Sequence, residues 1–202
     1  QMCIRDRASV KNGDFSFTFN VPKDVAGNQF GIGKISYYAE DGYLDANGHF
    51  DSIVVGGTET GVAADNTGPT IKLYMNDEKF VSGGTTDETP VFFAELFDEN
   101  GINASGAGIG HDISLVIDEN TAQQIVLNDF YEADLDSYQS GVVKYQLNTL
   151  AEGKHTLKLK VWDVHNNSSE AFLEFEVSPK SGLALKHVLN YPNPFTTSTK
   201  FY

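Results

Sequence analysis

Histidine and cysteine are the residue types in this chain that are best able to carry nucleophilic or acid–base chemistry. Cys3 is the only thiol, and no Gly-x-Ser-x-Gly or His-Glu-x-x-His motif is present. A Ser/His/Asp triad can assemble from residues far apart in sequence, but histidines without a partner motif are usually solvated. We therefore predict no catalytic site in this chain. The histidines are scattered at His49, His111, His155, His165 and His187.

Acidic and amide side chains around a glycine form a candidate calcium site. Asp45, Asn47 and Asp51 supply oxygens at odd spacings around Gly48, and oxygen ligands suit Ca²⁺. The EF-hand pattern is incomplete, because no glutamate follows at its twelfth position. The favoured alternative is a β-hairpin turn with Asn47-Gly48 at its tip. Asp98-Glu-Asn-Gly101 has the same two interpretations. We predict no other cofactor.

The charge and composition exclude two classes of protein. The formal net charge of the 202 residues is −14 and no basic cluster occurs, so binding nucleic acid through its phosphates is not expected. No apolar run approaches the roughly 20 residues of a transmembrane helix. An acidic balance keeps exported surface modules soluble. The prediction is a folded protein with no nucleic-acid partner and no transmembrane helix.

The elements that must position these residues are β-strands, because apolar residues alternate with a period of two. Phe15–Val21, 32–39 and 50–55 are expected strands of a first module. A second module shows seven short strands with turn signals between them, which is typical of an Ig-like sandwich. The fold class is therefore all-β, with Ig-like modules in tandem. The strands of the second module are predicted around residues 71–75, 92–96, 113–117, 124–127, 143–147, 157–161 and 173–177.

Composition shifts divide the chain into four parts. Residues 1–7 resemble translated adapter sequence and are expected to be non-native. Residues 8–64 hold too few strands for a closed sandwich, so we predict the C-terminal part of a β-sandwich module, ending in a linker over residues 58–69. Residues 65–178 are the predicted Ig-like sandwich. Residues 179–202 are a second linker and the beginning of another domain, and the chain is expected to be truncated at both ends.

The segment Tyr191-Pro192-Asn193-Pro194-Phe195 is the most specific motif. The two prolines fix φ near −65° and favour extended geometry at the residues before them. A polar spacer and a further strand beginning at Lys200 follow. This layout resembles the beginning of a type IX secretion C-terminal sorting domain, and the alternative is an ordinary proline-rich start of a β domain.

Two further stretches carry a family resemblance. Residues 8–24 and 33–39 look like the region after the peptidase domain of gingipain-like cysteine peptidases. Residues 128–131 and 157–167 are similar to the sortases of type IX secretion in that family. In the family the catalytic His and Cys lie in a domain N-terminal to this stretch, so neither is carried over to any position here.

The resemblance implies a function for the parent protein and a different one for this chain. The parent would be a cysteine endopeptidase at the cell surface or outer membrane, exported by type IX secretion. This chain would be its non-catalytic C-terminal support and sorting region. Expected partners are the secretion translocon, the outer-membrane anchoring components and the upstream peptidase domain of the same protein. The alternative is a set of Ig-like modules from a non-enzymatic surface adhesin exported by the same route.

Overall fold

The computed structural model describes residues 4–23, 31–57, 61, 64–106, 108–178, 190–191 and 200–201. Within these residues the regular structure is β-strand, with two three-residue 3₁₀ helices at Thr121–Gln123 and Asn128–Phe130. The all-β prediction is therefore confirmed. The strands are β1 Gly31–Glu40, β2 Asp45–Val55, β3 Thr70–Met75, β4 Gly84–Thr86, β5 Val91–Phe97, β6 Ser114–Ile117, β7 Ile125–Val126, β8 Tyr131–Ala133, β9 Ser140–Gln146, β10 Gly153–Trp162, β11 Ser168–Val177, β12 Asn190–Tyr191 and β13 Lys200–Phe201.

Strands β3 to β11 form a sandwich of two sheets. One sheet has the order β3-β5-β9-β8 and the other the order β4-β11-β10-β6-β7. All neighbours are antiparallel except β4, which runs parallel to β11. An immunoglobulin sandwich places its first, second, fifth and fourth strands in one sheet. The order found here is the same once β4 is counted as a branch of the first strand and the two-residue β7 as an added edge strand beside β6, so the sandwich is Ig-like.

The sandwich core is built from the alternation seen in the sequence. Leu157, Leu159 and Val161 of β10 are 0% exposed, while Lys158 and Lys160 point to the other face and reach Glu170. Each fully buried aliphatic side chain contributes about 1.5–3 kcal/mol through removal of apolar surface from water. Both sheets contribute to one core, which includes Phe92, Ala94, Leu96 and Val143 from the first sheet and Leu173, Phe175 and Val177 from the second.

Two strands of the sandwich are missing from the sequence prediction. These are β4, which reads Gly-Thr-Thr, and β8, which reads Tyr-Glu-Ala. Each has three residues, too few to show an alternating pattern, and each lies at an edge of its sheet. Short edge strands are recognisable mainly by their partners, which a sequence does not show.

The N-terminal part differs from the prediction in one strand. Residues 15–21 form no ladder, although their alternation predicts a strand. Phe15 and Phe17 instead contact Tyr37 of β1 through their rings, at centroid distances of 5.6 and 6.3 Å. The alternation correctly indicates an aromatic face, but it does not report whether the backbone has a neighbouring strand to pair with.

The hairpin of β1 and β2 also turns at a different place. Asn47 pairs with Tyr38 within the ladder, so the predicted turn at Asn47-Gly48 is wrong. The turn lies five residues earlier, over residues 41–44, where Asp41 Oδ1 accepts hydrogen bonds from the backbone N–H groups of Tyr43 (2.9 Å) and Leu44 (2.8 Å). Such an Asx turn competes well with an Asn-Gly turn, because the aspartate supplies its own acceptor.

Candidate functional site

Three carboxylates meet at one end of the sandwich, beside the linker that enters it. Asp65 precedes β3, Asp98 follows β5 and Asp163 follows β10. One oxygen from each lies within 4.8 Å of the others. Asp98 is 5% exposed and Asp163 is 0% exposed. We call Asp65, Asp98 and Asp163 the acidic cluster.

Two loops hold the acidic cluster in place. Asp98 Oδ1 accepts hydrogen bonds from the backbone N–H groups of Asn100 (2.8 Å) and Gly101 (3.1 Å). Gly101 has a φ of 109°, a left-handed conformation that glycine adopts without steric cost. The loop after β5 therefore curls around its own aspartate.

Asp163 organises the loop between β10 and β11 in the same way. Its Oδ1 accepts hydrogen bonds from the backbone N–H groups of His165 (2.9 Å) and Asn167 (2.7 Å), and its Oδ2 accepts one from Asn167 Nδ2 (2.8 Å). The two loops are joined directly, because Val164 N donates to Gly101 O at 3.1 Å. The buried charge of Asp163 is thus surrounded by donors from its own hairpin.

Asp65 connects the linker to both loops. Its Oδ2 accepts a hydrogen bond from Asn100 Nδ2 (2.8 Å) and is 3.3 Å from His165 Nδ1. The pKa of Asp65 is lowered, first by the hydrogen bond from Thr67 N and then by His165 and Asn100, against an opposing effect of burial. The carboxylate form is therefore the favoured one at this position.

The pKa of Asp98 is shifted in the opposite direction, upward. Burial raises its pKa, and the negative charges of Asp163 and Asp65 add to that effect, while the N–H donors of Asn100 and Gly101 work against it. Like charges held together in a buried place repel, so this arrangement is costly unless something positive compensates it.

The acidic cluster is suited to holding a cation rather than to catalysis. The atoms that it offers to a cation are carboxylate oxygens, which are the ligands that Ca²⁺ prefers. Because Asp98 and Asp163 are almost fully covered, a substrate has no surface there to react on. Of the cluster, only Asp98 falls within a segment that the sequence predicts as a candidate calcium ligand. Asp65 and Asp163 were missed, and the Asp163-x-x-x-Asn167 spacing after a strong strand is the signal that could have found the latter.

The structure does not bring Asp45, Asn47 and Asp51 together at one point. All three are exposed and lie along the single strand β2. A strand rises about 3.3 Å per residue, so Asp45 and Asp51 are separated by roughly 20 Å. One ion cannot bridge that distance within this strand, and calcium binding at these residues stays a prediction from the sequence.

The sorting motif lies mostly outside the described residues. Tyr191 belongs to β12, which pairs antiparallel with β13, so that Asn190 lies opposite Phe201 and Tyr191 opposite Lys200. Pro192, Asn193, Pro194 and Phe195 are outside the described residues.

Comparison with known proteins identifies the kind of protein that the chain resembles. No protein-family model and no curated protein matches the sequence. The crystal structure of dimeric latent PorU from Porphyromonas gingivalis matches 95% of this chain at 37% identity with a TM-score of 0.57. The endo-β-1,4-mannanase from Thermotoga petrophila matches 54% of this chain, but its 14% identity and TM-score of 0.36 carry no argument. The chain spans 18% of the length of the PorU structure. Because the match extends over 95% of this chain at 37% identity, the chain is a PorU-like region with an Ig-like, all-β fold.

Proposed function

We propose that this chain is the non-catalytic C-terminal support and sorting region of a cell-surface sortase of the type IX secretion system. The observation that carries the proposal is the 37% identity to PorU over 95% of the chain. The parent protein would be a gingipain-like cysteine endopeptidase. The chain spans less than a fifth of the PorU structure, which leaves ample length for a peptidase domain elsewhere in such a parent.

The placement of the histidines supports a non-catalytic role. His155 contacts Asp118 Oδ2 (2.7 Å) and the carbonyl of Ala151 (2.8 Å) through its two ring nitrogens. His165 contacts Asp65, and His49 is exposed on β2. Cysteine peptidases need a thiolate beside a base, and the sequence has no cysteine after Cys3.

The exposed surface of the β1–β2 hairpin supports a role in holding another domain. A two-stranded hairpin is at best marginally stable by itself. This one exposes apolar and aromatic side chains on both of its faces, and Phe15 and Phe17 pack against Tyr37 on one of them. An apolar surface of this kind is typical of a protein contact. We assign it to the upstream peptidase domain of the same polypeptide. The exposed residues of the hairpin are Tyr38 (70% exposed), Tyr43 (95%), Leu44 (77%), Phe50 (49%) and Val54 (66%).

The remaining partners and the location follow from the sorting motif. In this proposal Tyr191–Phe195 and the strands around it direct the protein to the translocon and to the anchoring components of the outer membrane. The protein then acts outside the cell, at its surface. Among the described residues, no helix is both long and apolar enough to cross a membrane.

Peptidase activity tests the non-catalytic part of the proposal. The purified chain is incubated with a sorting-domain peptide substrate, beside a cysteine peptidase as positive control. We expect no cleavage. Measurable turnover that survives mutation of Cys3 to Ala would overturn the support role, because the activity would then arise from the chain proper.

The adhesin alternative is separated from the sortase by what precedes Ala8. A gingipain-like domain with a His and a Cys upstream would establish the sortase, and further Ig-like or lectin-like modules would establish the adhesin. Extending the coding sequence upstream is therefore the decisive observation. A second test deletes residues 190–202 from the parent and measures export, which we expect to fail while the peptidase domain still folds.

A further inference from the structure

We propose that His155 is a pH-operated latch, which as an imidazolium fastens the loop between β9 and β10 to one end of the sandwich and releases it when the ring loses a proton. The inference concerns described residues of the sandwich, so it does not depend on the sortase assignment. It rests on the two acceptors that face the ring, on the burial of the ring and on the hydrogen bonds of the loop.

The two acceptors beside His155 require a doubly protonated ring. His155 Nδ1 lies 2.7 Å from Asp118 Oδ2, and Nε2 lies 2.8 Å from Ala151 O. A carboxylate oxygen and a carbonyl oxygen only accept hydrogen bonds, and a neutral imidazole has a single N–H to donate. The other oxygen of Asp118 is also an acceptor, because Thr156 N donates to its Oδ1 at 2.9 Å. Both contacts of the ring are therefore hydrogen bonds only when the ring is an imidazolium.

The surroundings of the ring favour that form. The side chain of His155 is 10% exposed, and its ring stacks on the buried ring of Phe175 at a centroid distance of 5.5 Å. Burial acts to lower the pKa of His155, but the hydrogen bonds to Ala151 O and Asp118 and the charge of Asp118 outweigh it, so the pKa is raised. The latch is therefore closed below the ordinary histidine pKa of about 6.5 and opens as pH rises through the higher folded value.

Asp118 is the charged group that bonds to the ring. From β11 the ring is faced by Phe175, which is the partner of His155 in the ladder. Charged residues next to these two positions point to the opposite face of the sheet, since successive residues of a strand alternate; they are Lys154, Glu174 and Glu176. The charged residues on the adjoining loops are exposed, and they are Glu88, Glu119 and Glu152. Deprotonation of the ring therefore acts first on its own two hydrogen bonds.

Loss of the proton should break the bond to Ala151. A neutral ring keeps one N–H, which goes to Asp118, because a hydrogen bond to an ionised acceptor is stronger than one to a carbonyl. The lone pair of Nε2 then faces those of Ala151 O across 2.8 Å, which is repulsive. The preceding residue, Leu150, donates through its N–H to Glu88 O at 2.9 Å. The latch thus releases the loop around Leu150 and Ala151, whereas the turn at Asp118 stays closed.

The latch lies at the end of the sandwich from which the chain continues toward the sorting motif. Gly153, at the start of β10, pairs with Val177, the last residue of β11. Ser178 N then donates to Thr86 O at 3.0 Å. Because the released loop ends at Gly153, the latch makes the order at this end of the sandwich depend on pH.

Two NMR measurements on the 202-residue chain test the latch. The first follows the nitrogen chemical shifts of the histidine rings between about pH 5.5 and about pH 9, on both sides of an ordinary histidine pKa. We expect both ring nitrogens of His155 to carry a proton at about pH 7, where a histidine in water is mostly neutral.

The second measurement is amide hydrogen exchange at about pH 6 and about pH 9, corrected for the intrinsic effect of pH on exchange. Opening at Leu150 should rise at least about ten-fold as His155 loses its proton, because a hydrogen bond to a charged group contributes on that order. Thr156, whose N–H is bonded to Asp118 Oδ1, should change less than about three-fold and is the control within the molecule. The rise at Leu150 should disappear in His155→Gln, whose side chain does not titrate, and should remain in His49→Gln, which changes an exposed position of β2.

Two results would overturn the proposal. The first is a single protonated ring nitrogen in His155 at about pH 6, which would mean that one of the two contacts is not a hydrogen bond. The second is exchange at Leu150 that does not change while His155 titrates, which would mean that the neutral ring keeps the loop closed. Should His155→Gln fail to fold, the unmodified chain decides the question, because both measurements are made on it.

Discussion

Gly141 is a position where a single added methyl group should measurably destabilise the sandwich. It lies in β9, which is hydrogen-bonded to a strand on each side, and it is opposite Ala133 of β8 and Leu96 of β5. A Cβ at Gly141 would lie 2.6 Å from Tyr131 Oη and 2.7 Å from Tyr131 Cε2, and would also overlap the backbone oxygen of Glu132. Real Cβ atoms do not approach so closely, so β8 or the tyrosine must move.

The size of the effect follows from two opposing contributions. Overpacking of a filled core costs about 1–3 kcal/mol, and the upper end applies because the backbone of β8 is among the atoms that must shift. Replacing glycine by alanine also stiffens the unfolded chain, which returns about 0.4–1 kcal/mol. The expected net loss for Gly141→Ala is therefore about 2 kcal/mol. In a domain of this size that is a fall in Tm of about 8 °C.

The assay is thermal and urea unfolding of Gly141→Ala beside Gly48→Ala. Gly48 lies in strand β2, and a Cβ added there would have no atom within 4 Å, so its substitution should leave stability unchanged or slightly raised. In the double variant Gly141→Ala/Tyr131→Ala the loss should be smaller than the sum of the two single losses, since the ring supplies two of the close contacts. A Tm of Gly141→Ala within about 1 °C of the unmodified chain, against the shift expected for a domain of this size, would refute the reasoning.

Three further substitutions, the first with an exposed control, test the core and one histidine. Leu157→Ala removes a side chain that is 0% exposed and should cost about 2–5 kcal/mol in urea unfolding, whereas Leu44→Ala, at a position 77% exposed, should cost little. Tyr131→Phe removes a buried hydroxyl that has no partner among the described residues, so stability should stay within about 1 kcal/mol or rise; a larger loss would reveal an acceptor. Burial acts to lower the pKa of His155, but its hydrogen bonds to Ala151 O and Asp118 and the charge of Asp118 outweigh this and raise the pKa. The stabilisation from His155 is therefore fully present below its unfolded pKa of about 6.5 and is lost as pH rises through the higher folded value. Comparing Tm at about pH 5.5 and about pH 8.5, on either side of that range, should show a smaller difference in His155→Gln, and an equal difference in both proteins would contradict this assignment.

The sequence predicts those strands whose two faces differ chemically. In β10 the alternation of Leu157, Leu159 and Val161 with lysines fixes both the strand and its buried face, because a shift of one residue would bury the charges. The same rule indicates an aromatic face at residues 15–21 but cannot establish a strand there, since pairing depends on a neighbour. The three-residue strands β4 and β8 carry too few positions for any period to be visible.

The acidic cluster illustrates a different limit of sequence reasoning. Asp65, Asp98 and Asp163 are far apart in the chain, and each lies in a loop where an aspartate is expected for turn formation alone. Asp98 is recognisable as a candidate because Asn100 and Gly101 follow it closely. The convergence of the three comes from the Ig-like topology, which brings the end of β5, the end of β10 and the start of β3 to the same end of the sandwich.

The end of the linker before β3 packs against the sandwich, which its composition does not indicate. Small and turn-forming residues over 58–69 predict a flexible connection, yet small residues also permit close packing. A Cβ on Gly68 would lie 2.7 Å from the backbone of Ser168, and Pro69 is buried. Together with the bonds from Asn100 and Asn167 to Asp65, this places residues 65–69 against the sandwich. The same glycine that suggests freedom in the sequence is therefore required for close contact between the linker and the sandwich.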